Sequence, residues 1–481
     1  MLEMLARGRS LERRAGCPRG ALRPIDLRGR AQAAGCLALA LIFAGALLGC
    51  GDAPPSAGDG AGLPDAGAED VGAADGGAPE GSEDAGQDGA TPDADEPEPD
   101  RDVGMGDAEP EGGEPEAPVD PRCAFSEPGD ADKDRVVLLG HTFGAQVGES
   151  LTEIRALTLT AAGELIDEGA RLDVGFKVSR IAFVPSGEVA LVLGQRDELA
   201  SVRVSGALDL EVIDRATLPS GDLVDLVVAE EGRLIFVVGS NVAETSGVSS
   251  IRVDCEGKLE VVPGAFLNIR LAQSMAPLPE GRRAVLLGGQ AVFEPVDEDD
   301  LRLLERDGPG WRQEAAFDVF GDFVSADRVG LSPDGALLLV PNGSPFSEEG
   351  AQVAVVAVEG DALREVDRLG DLPDVREARF DRGGQTAILT LGEPGRVVVL
   401  AIDGQEVRVA QTLTRIGLAG QIAAVERGAL DGTLLLPSVD VQEGSNVAQL
   451  RVEGPGQVAD LGQLPLGEGG PNIPTAIGVQ P

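Results

Sequence analysis

The sequence predicts an all-β fold: a seven-bladed β-propeller whose C-terminal strand completes its first blade. Three observations predict it. Six apolar hairpins turn on Gly187, Gly232, Gly281, Gly335, Gly384 and Gly432, at spacings of 45 to 54 residues. Most are followed by a third apolar run and a more polar fourth, as in "QVAVVAVEG" and "LREVDRLG". The last run, "IPTAIGVQP", has no partner after it, and the first repeat has no innermost strand before it. Four short strands per repeat, without helical periodicity, is how a propeller blade reads.

The chain divides by composition into three regimes. Residues 1–49 carry eight Arg against three acids. Arg28 and Arg30 precede the apolar run Leu37 to Leu48, which is too short to span a bilayer but suits a signal segment. The run ends Leu47-Leu48-Gly49-Cys50. That box resembles the signal of bacterial lipoproteins, in which the cysteine is lipidated and becomes the new N-terminus. The resemblance implies acylation of Cys50, a membrane partner reached through the lipid anchor, and a place in the cell envelope, on the outer membrane. Several acyl chains, at roughly 0.8 kcal/mol per buried methylene, give stable attachment.

Residues 50–122 form the lipidated tether. From Gly51 to Arg122 there are 22 acids against two Arg, with Leu63 the one leucine and no Ile, Phe or Trp. Such a segment buries too little apolar surface to offset its ordering entropy, so a disordered acidic spacer is expected. Its coil span is about 45–50 Å, extended further by self-repulsion.

Residues 123–481 form the propeller domain, with 57 acids against 29 bases. That balance and the lack of aromatics, with no Tyr and Trp311 the one Trp, exclude nucleic acid as a partner. Within the domain, "DRVVLLGH" from Asp134 reads as a second strand, with "TEIRALTLTAAG" and "ELIDEGARL" as third and fourth. The missing first strand is "IPTAIGVQP" at the far end of the chain. Closing the ring this way removes exposed strand edges.

Ser332-Pro333-Asp334-Gly335, the apolar strand after it and Asn342 resemble the repeats of seven-bladed lactonase-like and surface-layer-type propellers. The likeness covers residues 134–481 in period and strand order. The resemblance implies either a non-catalytic binding or scaffold head, with a protein or small-ligand partner on a propeller face, or a hydrolase of lactones or esters. The lactonase-like enzymes that use a divalent metal hold it in the central channel; no ligand of theirs can be matched to a residue here.

The residues themselves offer little chemistry. His141 is the single histidine, so any Ser-His-Asp or Cys-His mechanism would have to use it, and no G-x-S-x-G occurs. Asp130, Asp132 and Asp134 alternate and could converge on Ca²⁺, or form a solvated hinge; the positions an EF-hand fills with Gly and Glu hold Arg135 and His141. Asp297 to Asp300 read as a solvated loop inserted in the longest repeat. With Cys17 and Cys36 removed in the signal and Cys50 acylated, Cys123 and Cys255 remain as an even pair, a disulfide candidate in an oxidising compartment. The expectation is therefore a membrane-anchored propeller head that binds rather than catalyses, with a metal-dependent lactonase as the alternative.

Overall fold

The computed structural model describes residues 132–143, 152–229, 232–240, 245–288, 299–320, 324–344, 350–392, 396–414, 418–440, 444–466 and 473–481. The chain splits into two compact units, 1–107 and 108–481, and all described residues lie in the second. The signal segment, Cys50, the tether, Cys123 and Asp130 lie outside the described residues.

Seven antiparallel sheets form the seven blades. Blade 2 runs outward from Val178–Phe183 through Val189–Gly194 and Glu198–Gly206 to Asp209–Thr217. Blade 4 (Ala272–Pro277, Arg283–Gly288, Leu301–Asp307, Gly310–Phe317) and blade 6 (Val375–Phe380, Thr386–Leu391, Arg396–Asp403, Glu406–Thr414) follow the same plan. Blade 5 keeps a short inner strand, Gly330–Leu331, beside Leu337–Asn342, Gln352–Glu359 and Ala362–Leu369. Blade 3 starts with Leu223–Ala229, Leu234–Gly239 and Gly247–Val253, and its outer strand is split into Leu259–Val261 and Leu267–Asn268. In blade 7 the inner strand is split instead, into Leu418–Ala419 and Ala423–Ala424, followed by Thr433–Asp440, Gly444–Gly454 and Gln457–Pro465. Its hairpin is longer than the others and holds a 3₁₀ turn, Gly428–Leu430.

Blade 1 is closed as the sequence predicts. Ile473–Val479 pairs antiparallel with Arg135–Phe143, placing Ile477 opposite Leu139 and Val479 opposite Val137. Glu153–Leu159 lies on the other side of Arg135–Phe143, and the outer strand is split into Leu165–Ile166 and Arg171–Asp173. Gln480 latches the joint. Its backbone N–H bonds Val136 O at 2.9 Å, its Oε1 accepts the Val136 N–H at 3.1 Å, and its Nε2 donates to Gly187 O of blade 2 at 2.9 Å. Arg135 donates to Gln480 O at 3.2 Å and to Arg427 O of blade 7 at 2.8 Å.

All six turn glycines have positive φ, from +70° at Gly281 and Gly384 to +88° at Gly232. That is the left-handed region a side chain with a Cβ avoids, which is why glycine recurs there.

The core is a set of seven apolar clusters, one between each pair of neighbouring blades. Leu138, Ile154, Ile181 and Val192 join blades 1 and 2. Leu191, Leu199, Ile235 and Ile251 join 2 and 3. The rest follow in turn, up to Leu139, Leu157, Leu435 and Ile477 between blades 7 and 1. Strands buried on both faces read as continuous apolar runs, as "VALVLG" and "LIFVVG" do. Each such Leu, Ile or Val is worth about 1.5–3 kcal/mol of burial, and the ring joins all seven interfaces into one structure.

The hairpin turns lie on one face of the ring. The links between blades, and the connections from second to third strands, lie on the other, here the mouth face.

A polar belt and an acid–arginine mouth in the channel

Each inner strand or inner segment places one residue at the same level of the channel. Arg180, Asp225, Ser274, Arg328 and Glu377 each stand seven residues ahead of their turn glycine. In the sheet registers Arg180 faces Leu193, Asp225 faces Val238 and Glu377 faces Thr390. Gln421 fills the position in blade 7 and Ala476, opposite Gly140, in blade 1. Asp225, Ser274, Glu377 and Ala476 are at most 1% exposed, and Arg180 and Gln421 are 7% exposed.

These residues bond to one another across the channel. Arg180 Nη1 meets Glu377 Oε2 at 3.3 Å, joining blades 2 and 6. The same guanidinium donates to Val224 O at 3.1 Å and Asp327 O at 2.9 Å. Asp225 Oδ2 accepts the Ser274 hydroxyl at 2.9 Å and the Met275 N–H at 3.0 Å, and Ser274 Oγ accepts the Val329 N–H at 3.2 Å. Arg328 Nε lies 3.9 Å from Asp225 Oδ1. Gln421 donates to Ile181 O and accepts the Ile477 N–H, both at 3.3 Å. Every blade is tied in. The belt holds two arginines and two carboxylates, so it is neutral when all four are ionised. Burial pushes the Glu377 carboxyl up, against the pull of Arg180, Arg328 and Arg379. Burial works against the Arg180 charge, but Glu377, Asp225 and Asp327 outweigh it and raise its pKa. Glu377 Oε1 is buried without a hydrogen-bond partner among the described residues.

Above the belt, on the mouth face, sits a second cluster. Arg376 Nε meets Asp374 Oδ1 at 2.6 Å. Arg376 O accepts the Asp327 N–H at 2.8 Å and the Arg328 N–H at 3.3 Å, which draws the link into blade 5 against blade 6. Asp374 is half-buried and has φ +50°, a left-handed conformation that costs a non-glycine residue free energy. The neighbouring Gly392 has no side chain because a Cβ there would collide with the Asp374 carboxylate. Burial pushes the Asp374 carboxyl above its ordinary range, Arg376 pulls it down, and Asp327 pushes it up again. Burial lowers the pKa of Arg376 but Asp327 and Asp374 more than offset it. The mouth therefore offers a carboxylate of raised basicity paired with one cation, Arg376, whose side chain is 24% exposed. A shallow cleft of about 350 Å³ opens elsewhere on this face, between Arg196, Ser220 and Asp222.

The sequence-predicted residues fall largely elsewhere. Asp132 and Asp134 are exposed, and Asp134 Oδ1 accepts the Ala161 N–H at 2.8 Å, capping a turn of blade 1. His141 lies on the strand Arg135–Phe143 opposite Pro474, where the register slips. Cys255, in the turn after Gly247–Val253, is disulfide-bonded, and all other cysteines lie outside the described residues. Asp300 departs from the solvated-loop expectation: it is 1% exposed and accepts the Val319 and Phe320 N–H groups at 3.1 and 2.6 Å. The Ser-Pro-Asp-Gly motif is structural. Ser332 Oγ bonds Asp334 Oδ1 at 2.6 Å and accepts the Leu337 N–H at 2.8 Å, shaping the hairpin. Asn342 Oδ1 holds the N–H groups of Ser325 and Ser344.

The belt and mouth were missed from sequence, although a signal was present: a charged or polar residue opens each of five hairpins at one fixed offset.

A divalent metal in the channel does not fit these residues. Asp225 and Glu377 each face an arginine, and no group of three or more His, Cys, Asp or Glu able to hold a metal gathers among the described residues.

No family model matches the chain, and no curated protein matches it. Solved structures do. The periplasmic gluconolactonase of Pseudomonas aeruginosa is 15% identical, with TM-score 0.56, over 73% of this chain and 99% of that one. A 6-phosphogluconolactonase candidate from Bacteroides uniformis is 12% identical, with TM-score 0.55, over 72% and 99%. A protein from Lactobacillus plantarum matches equally, with 12% identity and TM-score 0.55. The chain thus carries a seven-bladed β-propeller, similar in fold to lactonase-like proteins.

Proposed function

We propose that the propeller is a metal-independent hydrolase of lactones or related esters, working at the channel mouth. The observation that supports this is the Asp374–Arg376 pair at the mouth. Ester cleavage needs a base to activate water and fixed positive charge where the carbonyl oxygen becomes negative. Asp374, with its raised pKa, suits the first role. Arg376 suits the second, and it also fixes the orientation of Asp374. Asp374 takes a proton from water as the oxygen attacks the carbonyl carbon. The tetrahedral oxyanion is held by Arg376. The ring C–O bond then breaks and the alkoxide takes the proton back from Asp374, giving a hydroxy acid. The names of the structural neighbours supply the lactone class.

The test is acid release from a panel of aldonolactones and aryl esters, followed by pH-stat. Asp374→Asn should lower kcat at least 100-fold with little change in melting temperature. No rate above the buffer blank with the wild-type protein would leave the second reading, a non-catalytic binding head. The charge pairing of the belt favours that reading, since each of its arginines faces a carboxylate. Thermal shift by the same lactones without turnover would support it.

We also propose the location expected from the sequence: acylation at Cys50, a cell-envelope place through that anchor, and Cys123 as the partner of Cys255. The disulfide at Cys255 supports an oxidising compartment.

A further inference from the structure

The link from blade 4 to blade 5 starts at Asp318 and runs to the mouth residues Asp327 and Arg328. It is gripped on both sides. On one side Asp300 Oδ2 accepts the Val319 and Phe320 N–H groups. On the other, Arg368 Nη2 donates to Val319 O at 2.7 Å, with its guanidinium 5.3 Å above the Phe320 ring. Phe320 packs into the core between the two blades. Asp300 is itself fixed, because its carbonyl accepts the Gly288 N–H at 2.7 Å.

The grip has one anomaly. Asp300 is 1% exposed, yet its second oxygen, Oδ1, has no donor among the described residues. What faces Asp300 from the link is another carboxyl, that of Asp318. Two carboxylates cannot satisfy each other, since neither donates; one proton between them can. The other charged groups near this point are Asp299 and Arg302 on the Asp300 side and Arg368 beyond the link. Burial pushes the Asp300 carboxyl up to about 6, with the two N–H groups pulling against it and Asp318 pushing with it.

We propose that the Asp300–Asp318 carboxyl pair is a proton-operated clamp on the link between blades 4 and 5, closed by one shared proton and opened by its loss. In the closed state the proton on Oδ1 bonds Asp318, while Oδ2 keeps both backbone N–H groups. When the proton leaves to water, a buried carboxylate faces a second one, and the link loosens from Asp318 onward. The clamp does not rest on the hydrolase reading.

The test is amide hydrogen exchange on the full chain between pH 4.5 and 7.5, corrected for intrinsic rates. The Val319 and Phe320 amides should lose at least tenfold protection between pH 5 and pH 7. Asp318→Asn removes the repulsion and supplies a donor to the ionised Asp300, so protection should persist across this range. Asp300→Asn should make protection independent of pH across this range. Flat protection in the wild type, or the same loss of protection in Asp318→Asn, overturns the clamp. Because Asp300 is buried, Asp318→Asn decides the matter if Asp300→Asn does not fold. The readout needs no substrate, so failure of the clamp and failure of the hydrolase reading are separate results.

Discussion

At Arg180 one side chain reaches three other parts of the ring: Val224 O in blade 3, Asp327 O before blade 5 and Glu377 in blade 6. Removing it leaves a buried carboxylate without its partner, which typically costs about 3–5 kcal/mol. Arg180→Met should lower the urea midpoint accordingly. The double variant Arg180→Met/Glu377→Leu should recover most of the loss, since an apolar pair of similar volume is often neutral. Equal losses in the single and double variants would assign the effect to packing instead. This residue also shows how far the sequence could be read. The offset of Arg180 from Gly187 is plain in the sequence, and so are those of Asp225 and Glu377. That they meet is not, because Arg180 and Glu377 are 197 positions apart and only ring closure brings them within reach. Asp374 was less legible still. Its role depends on a left-handed backbone and on Gly392, neither of which a pattern of apolar runs reveals.

At the scale of elements, hairpin periodicity was sufficient. The six glycines, the antiparallel order and the terminal strand's place follow from it, because buried strands and their turns have strict side-chain requirements. The outer strands were harder to read. "ELIDEGARL" reads as one strand but is interrupted, since Asp167 Oδ1 accepts the Gly169 N–H at 2.9 Å and bends the chain there. An outer strand is half exposed, so local hydrogen bonding can override its pairing. The closing strand allows no such freedom. Deleting Ile473–Pro481 exposes the inner edge of Arg135–Phe143 and strips Ile477 from the cluster shared by blades 7 and 1. The truncated protein should melt well below the full chain and associate on a sizing column. A milder change, Gln480→Ala, leaves the Val136 N–H and Gly187 O without their partner and should cost about 1–3 kcal/mol in chemical denaturation.

For the whole molecule, acidity and pH act together. Asp300 keeps its proton in the folded state up to about pH 6, well above the ordinary carboxyl range. Its contribution to stability is complete below about pH 4 and is lost as pH rises toward 6. Burial at Asp374 and Glu377 acts in the same direction. Asp173 and Asp334 act oppositely: hydroxyls of Thr152 and Ser332 hold their carboxyls low, so their contribution is present above about pH 4 and is lost in acid. Self-repulsion among 57 acids and 29 bases also eases as carboxylates protonate. Calorimetry should therefore find a higher melting temperature at pH 5 than at pH 7.5, and Asp300→Asn should shrink that difference.

The placing of Arg135–Phe143 also has a mechanical side. This first described strand is flanked by Glu153–Leu159 on one side and Ile473–Val479 on the other. A pull arriving along the chain ahead of Asp132 therefore meets two ladders at once. It cannot unzip a free margin one bond at a time. The load spreads over both neighbours, and through Arg135 it passes to the carbonyl of Arg427 in the next blade. A propeller held by its leading end, in flowing or crowded surroundings, would carry tension at one of its best-braced points.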